Sequence, residues 1–179
     1  VGPSPDWLAA YLEARGDVPR NNIVDATNYV LHELGHPVHA FDLDKLEGGQ
    51  INIRYAQTGE TMLPLGADAK EVELSAEDLV IADAVKPIAL AGVKGGAASS
   101  VDENTTNLLL ETATISPSAV RRSSRRHGIA SDSSYRFERQ VPDRQVPIAS
   151  ERLLQLILSV AGGEAAPPTM VGTIAPAPT

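Results

Sequence analysis

Two residues, Gly35 and Pro37, fix where a helix must stop in the stretch from Asn21 to Asp42, NNIVDATNYVLHELGHPVHAFD. Ile23, Val24, Ala26, Val30, Leu31 and Leu34 fall at helical spacing, which predicts a helix from Asn22. Gly35 is a natural residue just past a helix end, and Pro37 disfavours the α conformation at His36. The same stretch holds three of the four histidines and a literal H-E-x-x-H, His32-Glu33-Leu34-Gly35-His36. A zinc peptidase needs both histidines on one face of a continuous helix, with the glutamate over a metal-bound water. A helix that stops at Gly35 takes His36 off that face, and no third ligand is placed. The zinc pattern is therefore expected to be accidental, with a zinc metallopeptidase kept as the alternative.

The rest of the chain mixes helical and strand patterns. Ser4 and Pro5 read as the cap and first residue of a helix whose stripe is Trp7, Leu8, Tyr11 and Leu12, with Trp7 anchoring core. Ile51 to Ala56 alternates as a half-buried strand, and Thr61 to Leu65 and Val72 to Leu74 read as two more. Leu79–Ala82 and Ile88–Ala91 are apolar runs expected to be buried strands joined tightly through Asp83 to Pro87. Gly92 to Ser100 is rich in Gly, Ala and Ser but lacks a nucleotide P-loop order. It is either a plain turn or a place where a ligand approaches backbone. Leu108 to Ala113 reads as a strand carrying one acid, Glu111, in an apolar run. Either Glu111 faces solvent at the strand end or its charge has a use. Ser116-Pro117 opens a helix that stops at Gly128. A polar loop from Ser131 to Ser134 leads to a short strand, Tyr135 to Glu138, and Val146 to Ala161 is an amphipathic helix. From Glu164 the composition suggests a linker. The fold class expected is α+β, with mixed, largely antiparallel strands and flanking helices.

The formal net charge of −8 argues against RNA held along the whole surface. The local exception is Arg121, Arg122, Arg125, Arg126 and His127, either a solvated helix face or a contact with a nucleic-acid end. No apolar run is long enough for a membrane helix, and no cysteine is present. The chain starts at Val1 and reads as a segment of a longer protein.

Read whole, Val24-Asp25-Ala26-Thr27-Asn28-Tyr29-Val30 through His39-Ala40-Phe41-Asp42 resembles the editing module in the third and fourth domains of bacterial phenylalanyl-tRNA synthetase beta subunits. Collinear matches follow at Asp78–Asp83, Ala89–Gly96, Leu109–Ala113 and Ser134–Arg139, so the resemblance covers roughly residues 3 to 163. It implies a module over 1–163, two intertwined subdomains with a cleft between them, and a linker or the next segment over 164–179. It implies hydrolysis of tyrosine wrongly joined to the tRNA for phenylalanine. The parent is an ATP- and magnesium-dependent cytoplasmic ligase of α2β2 form whose ligation site lies elsewhere, so no cofactor or metal is expected in this segment. The expected partners are the tRNA 3′ end and the parent's alpha subunit, and no membrane. Position by position, Glu111 matches the acid that takes the para hydroxyl, with Gly92 and Ala91 beside it. His39 matches the histidine near the scissile ester, in the role of holding water or the terminal ribose. Thr27 and Asn28 match residues lining the same site, and Pro37 shapes its wall. Arg20, Arg125 and Arg126 are the expected RNA contacts.

Three positions depart from that family pattern. Val18 stands where an arginine is usual, with Arg20 two residues on as a substitute. Ser133 replaces a small apolar residue at the amino-acid pocket, and Lys94 replaces the methionine of a G-V-M-G-G loop. A non-catalytic module of the same fold, docking RNA or a partner subunit, is the remaining alternative.

Overall fold

The computed structural model describes residues 1–174. In chain order the elements are α1 (Asp6–Glu13), α2 (Asn22–Leu34), β1 (Val38–Asp42), β2 (Asn52–Tyr55), β3 (Thr61–Met62), β4 (Val72–Glu73), β5 (Leu79–Ala82), β6 (Pro87–Leu90), β7 (Lys94–Gly95), β8 (Leu108–Thr112), α3 (Pro117–His127), α4 (Asp132–Phe137) and α5 (Val146–Ala161). Every strand pairing is antiparallel: a β1–β8 ribbon, a four-stranded sheet in the order β2-β5-β6-β7, and a small β3–β4 pair. The fold is α+β, as the pattern of periods requires.

The β1–β8 ribbon positions the site because its two faces bury different things. Ala40, Leu108 and Leu110 pack on Ile23, Ala26 and Val30 of α2 and on Ala149, Leu153, Leu156 and Ile157 of α5. Phe41 and Leu109 point the other way and pack with Ile81, Ile88, Ala89 and Ala91 of the four-stranded sheet. The two-residue period of a strand places His39 and Glu111 on this second face. A third cluster joins Val80, Ala82 and Leu90 of the sheet to Val120 of α3 and Phe137 of α4. The chain leaves the helical part after β1, builds the sheet, returns at β8, leaves again for α3 and α4, and returns as α5. The two parts are thus intertwined.

The helix stop at Gly35 is as expected. Asn21 caps α2 by accepting from the N–H groups of Ile23 and Val24, and Gly35 takes φ 69° at the C-terminus. Residues 21–42 go on to hold a strand that the helical reading left undescribed, β1.

Five local expectations are corrected. Tyr135 to Glu138 is not a strand: it lies in and just past α4, where Ser131 and Ser134 form a reciprocal capping box that starts a helix instead. A four-residue alternation was too short to tell the two apart. Ser4 does not cap α1; Pro5 holds that place, and the Ser4 hydroxyl donates to buried Asp25 at 2.6 Å. Trp7 is 49% exposed, because Leu8 and Leu12 fill the buried stripe and Trp7 packs edge-on against Tyr29. The alternation in β2 turns its apolar side outward, with Ile53 and Tyr55 both exposed at the sheet's edge. The strand expected over Thr61 to Leu65 shrinks to Thr61–Met62, since Pro64 makes only an isolated bridge to Gly96. Residues 164–174 are exposed with neither helix nor strand, and 175–179 of the expected linker lie outside the described residues.

Candidate functional site

His39 and Glu111 stand directly opposite each other across the β1–β8 ladder. Both line one cavity of about 50 Å³ together with Pro37, Gly92, Lys94 and Ser133. Ile115 and Phe137 form part of its apolar wall. That volume holds a few waters, so an aromatic side chain would enter with movement of a lining residue. The cavity sits where the ribbon, the β6–β7 turn and α4 converge.

Each polar group is placed by a local feature. The His39 ring rests edge-on against Phe41, with centroids 4.5 Å apart. It also lies over Gly95, where a Cβ would come within 2.7 Å of the ring. Glycine there lets β7 approach the histidine. Gly92 has φ +69°, and a Cβ on it would press on Ile115, Phe137 and Val120 at 3.0 Å each. The turn at 92 therefore depends on glycine for both its backbone and its space. Ser133 reaches the cavity from the first turn of α4.

The electrostatics are unusual for a half-buried site. Burial pushes the Glu111 carboxyl up to about 7, and no ion pair of the described residues offsets it. Burial, aided by the Lys94 charge, pulls His39 down to about 4. At neutral pH the imidazole is then uncharged, with one nitrogen able to accept a hydrogen bond. Glu111 is poised between a carboxylate that accepts and a carboxylic acid that donates. Such a pair can orient a hydroxyl and a water in a site from which bulk solvent is largely excluded.

Of the other residues expected at the site, Ala91 is buried beside Gly92 and its N–H is bound to the Leu79 carbonyl. Thr27 and Asn28 lie on α2 outside the cavity lining, with the Thr27 hydroxyl donating to the Val24 carbonyl at 2.6 Å. Arg20 is exposed, and its backbone N–H donates to Asp25. Arg125 is exposed on α3. Arg126 is taken up by Asp78 and Glu77, so of the expected RNA contacts it is the one already spent inside the protein.

The H-E-x-x-H residues do not converge. His32 pairs with Asp17 at 2.6 Å, and Glu33 accepts two hydrogen bonds from Arg152. His36 lies past the helix end, fully buried and edge-on to Phe137. Among the described residues no three His, Asp or Glu side chains are gathered as a metal site would need.

Sequence reasoning missed Gly95 and Phe137 as parts of the site. The alternation Val38, Ala40 against His39, Phe41 carried the signal for β1, a five-residue strand directly after Pro37.

The B3/4 domain family model matches residues 1–162. The chain is 51% identical over 177 residues to the phenylalanine–tRNA ligase beta subunit of Chlorobium luteolum, covering 99% of this chain and 22% of that protein. It is 49% identical over 167 residues to the subunit of the same name from Moorella thermoacetica, covering 93% of this chain and 20% of the relative. Against that of Anaeromyxobacter dehalogenans the identity is 51% over 163 residues, covering 91% and 20%. The chain spans about a fifth of the length of the curated relatives it matches.

Proposed function

Given that the chain belongs to the B3/4 domain family, we propose that it is the proofreading part of a phenylalanine–tRNA ligase beta subunit and hydrolyses tyrosine wrongly esterified to the tRNA for phenylalanine. The observation that carries this reading is the pairing of His39 with Glu111 on one face of the ribbon, over one cavity.

The chemistry follows from a difference of one hydroxyl. A synthetic pocket for phenylalanine rejects an added hydroxyl weakly, so a second site that requires the hydroxyl is useful. Glu111, enclosed and without an ion-pair partner among the described residues, supplies that requirement. Tyrosine's phenol donates to its carboxylate, whereas phenylalanine leaves the buried group unpaired, a penalty worth roughly 10⁴–10⁵ in discrimination. Neutral His39 accepts a hydrogen bond from a water or from the terminal ribose and holds it near the ester carbonyl. Apolar walls exclude competing water, and the tRNA's own terminal hydroxyl assists attack. ATP and magnesium serve the parent enzyme's ligation site, outside this segment. The further partners are the parent's alpha subunit, in an α2β2 assembly, and the setting is the cytoplasm.

The test is deacylation of tyrosyl- and phenylalanyl-tRNA for phenylalanine by the chain, its Glu111→Ala and His39→Ala variants, each with and without a chelator. Selective, chelator-resistant loss of the tyrosyl ester is expected. Selectivity should collapse in Glu111→Ala and rate in His39→Ala. Equal hydrolysis of both esters, or variants that match the parent, would overturn the reading.

A further inference from the structure

Lys94 lines the His39–Glu111 cavity and is the one cationic side chain among its lining residues. It is half-buried on β7, paired in register with Leu90 and next to the Gly95 that carries the His39 ring. Several other cations of the chain are neutralised at home. Arg54 pairs with Glu60, Arg126 with Asp78 and Glu77, Arg152 with Glu33, and Lys45 with Asp42 and Asp102. Lys94 forms no ion pair among the described residues, although it lines the same cavity as the Glu111 carboxyl. Its charge is felt at His39 instead.

From this placement we infer that Lys94 binds a phosphodiester of the RNA end at the His39 side of the cavity, so that the amino-acid side chain is turned toward Glu111. This rests on the proofreading reading and adds an orientation to it. A chain of net charge −8 repels a polyanion as a whole, so the point where an RNA end enters must supply its own positive charge. A lysine gives a compact point charge suited to a phosphate, and partial burial strengthens it over a solvated one. The acid at the Glu111 side discourages the reverse orientation, in which phosphate would meet carboxylate.

The test uses two non-hydrolysable ligands in which an amide replaces the ester: 3′-tyrosylamido-adenosine, and the same nucleoside extended by one 5′-linked cytidylate, which adds a phosphodiester. Their affinities are measured by calorimetry for the unaltered chain, Lys94→Met and Lys94→Arg, with thermal melts confirming that each variant is folded. Lys94→Met is expected to weaken the phosphate-bearing ligand roughly tenfold, the loss of one charge-assisted contact. It should leave the nucleoside ligand unchanged, and Lys94→Arg should restore most of the loss. The salt dependence of the phosphate-bearing ligand should also flatten by about 0.7 in log–log slope. Equal weakening of both ligands, or of neither, overturns the inference. If the ligands bind and show this contrast while the true tyrosyl ester survives, the proofreading reading falls and the Lys94 contact stands. If neither ligand binds the unaltered chain, both fall.

Discussion

His39 and Glu111 face each other in register across two antiparallel strands, and burial moves them in opposite directions, the acid up to about 7 and the imidazole down to about 4. The signs follow from which state holds the proton. The folded chain keeps a proton on Glu111 that the unfolded chain loses above its ordinary 4.5, so this group costs stability as pH rises toward about 7. The unfolded chain keeps a proton on His39 below its ordinary 6.5 that the folded chain releases down to about 4, so this group costs stability as pH falls. Each effect is at most about 3 kcal/mol, and they oppose each other over nearly the same window. The two are therefore expected to cancel in the parent between about pH 4.5 and 6.5. Glu111→Gln should expose a loss of stability on acidification, and His39→Gln a gain. Urea midpoints measured across that window check it, and variant profiles parallel to the parent's would refute the opposed pair.

His36 is fully buried beside Phe137, and neither ring nitrogen makes a well-formed hydrogen bond among the described residues. Burial pulls its pKa down, against a smaller upward effect from the Ala113 backbone. An apolar residue of similar size removes the desolvation cost and gives up only the weak contact with the Ala113 backbone. His36→Leu is therefore expected to be neutral or stabilising by up to about 1 kcal/mol at pH 7. Its advantage should widen toward pH 5, where only the parent's unfolded state gains a proton at this position. Denaturant unfolding at the two pH values measures the difference; a variant that loses more than it gains at pH 5 contradicts this account.

Asp78 is completely buried at the start of β5 and ties that strand to α3. It accepts from the Ser123 hydroxyl and from Arg126, pairs with His127, and also accepts from the Ser75 N–H. Burial alone would raise its pKa, but His127, Ser123 and the Ser75 backbone outweigh this and hold it low. Its contribution is thus present above the ordinary 3.8 and lost as pH falls below it. Asp78→Ala removes the acceptor and strands those donors, for an expected cost of about 3–5 kcal/mol. Hydrogen exchange should show α3 opening first. Uniform loosening across α2 and α5 as well would argue against a local tie.

How much of this was legible in the sequence depended on the range of the forces involved. The α2 stop was readable because Gly35 and Pro37 act on their own backbone, and the capped start of α2 lies in Asn21 itself. The α5 stripe was readable because Ala149, Leu153, Leu156 and Ile157 are all buried on one face. Trp7 was misread because a stripe says which residues are apolar, not which of them the neighbouring helix covers. The short alternation at Tyr135 to Glu138 was overridden by a capping box whose serines looked like loop. Within the site, Glu111 was conspicuous as an acid in an apolar run, whereas Gly95 could not be. Its meaning is a distance to His39, set by the pairing of β6 with β7 across the sheet.

That distance gives the last prediction. A Cβ at Gly95 would stand 2.7 and 2.9 Å from two atoms of the His39 ring and 3.1 Å from Leu65. The backbone at 95 lies outside the left-handed region, so alanine is conformationally acceptable and the conflict is one of space alone. The ring must tilt away from β7, because the sheet behind Gly95 is held by the Gly96 N–H donating to the Ile88 carbonyl at 2.8 Å. A tilt of the ring moves its free nitrogen off the ester without removing it from the protein. Gly95→Ala should therefore cost only about 1–3 kcal/mol of stability, the usual range for crowding a packed site. Turnover of tyrosyl-tRNA should fall on the order of 10²-fold, as a displaced catalytic group does. Its KM should change little, because Glu111 still meets the phenol. Steady-state kinetics beside a thermal melt decide it: a KM effect with turnover intact would mean that Gly95 shapes the substrate's seat and not the histidine's.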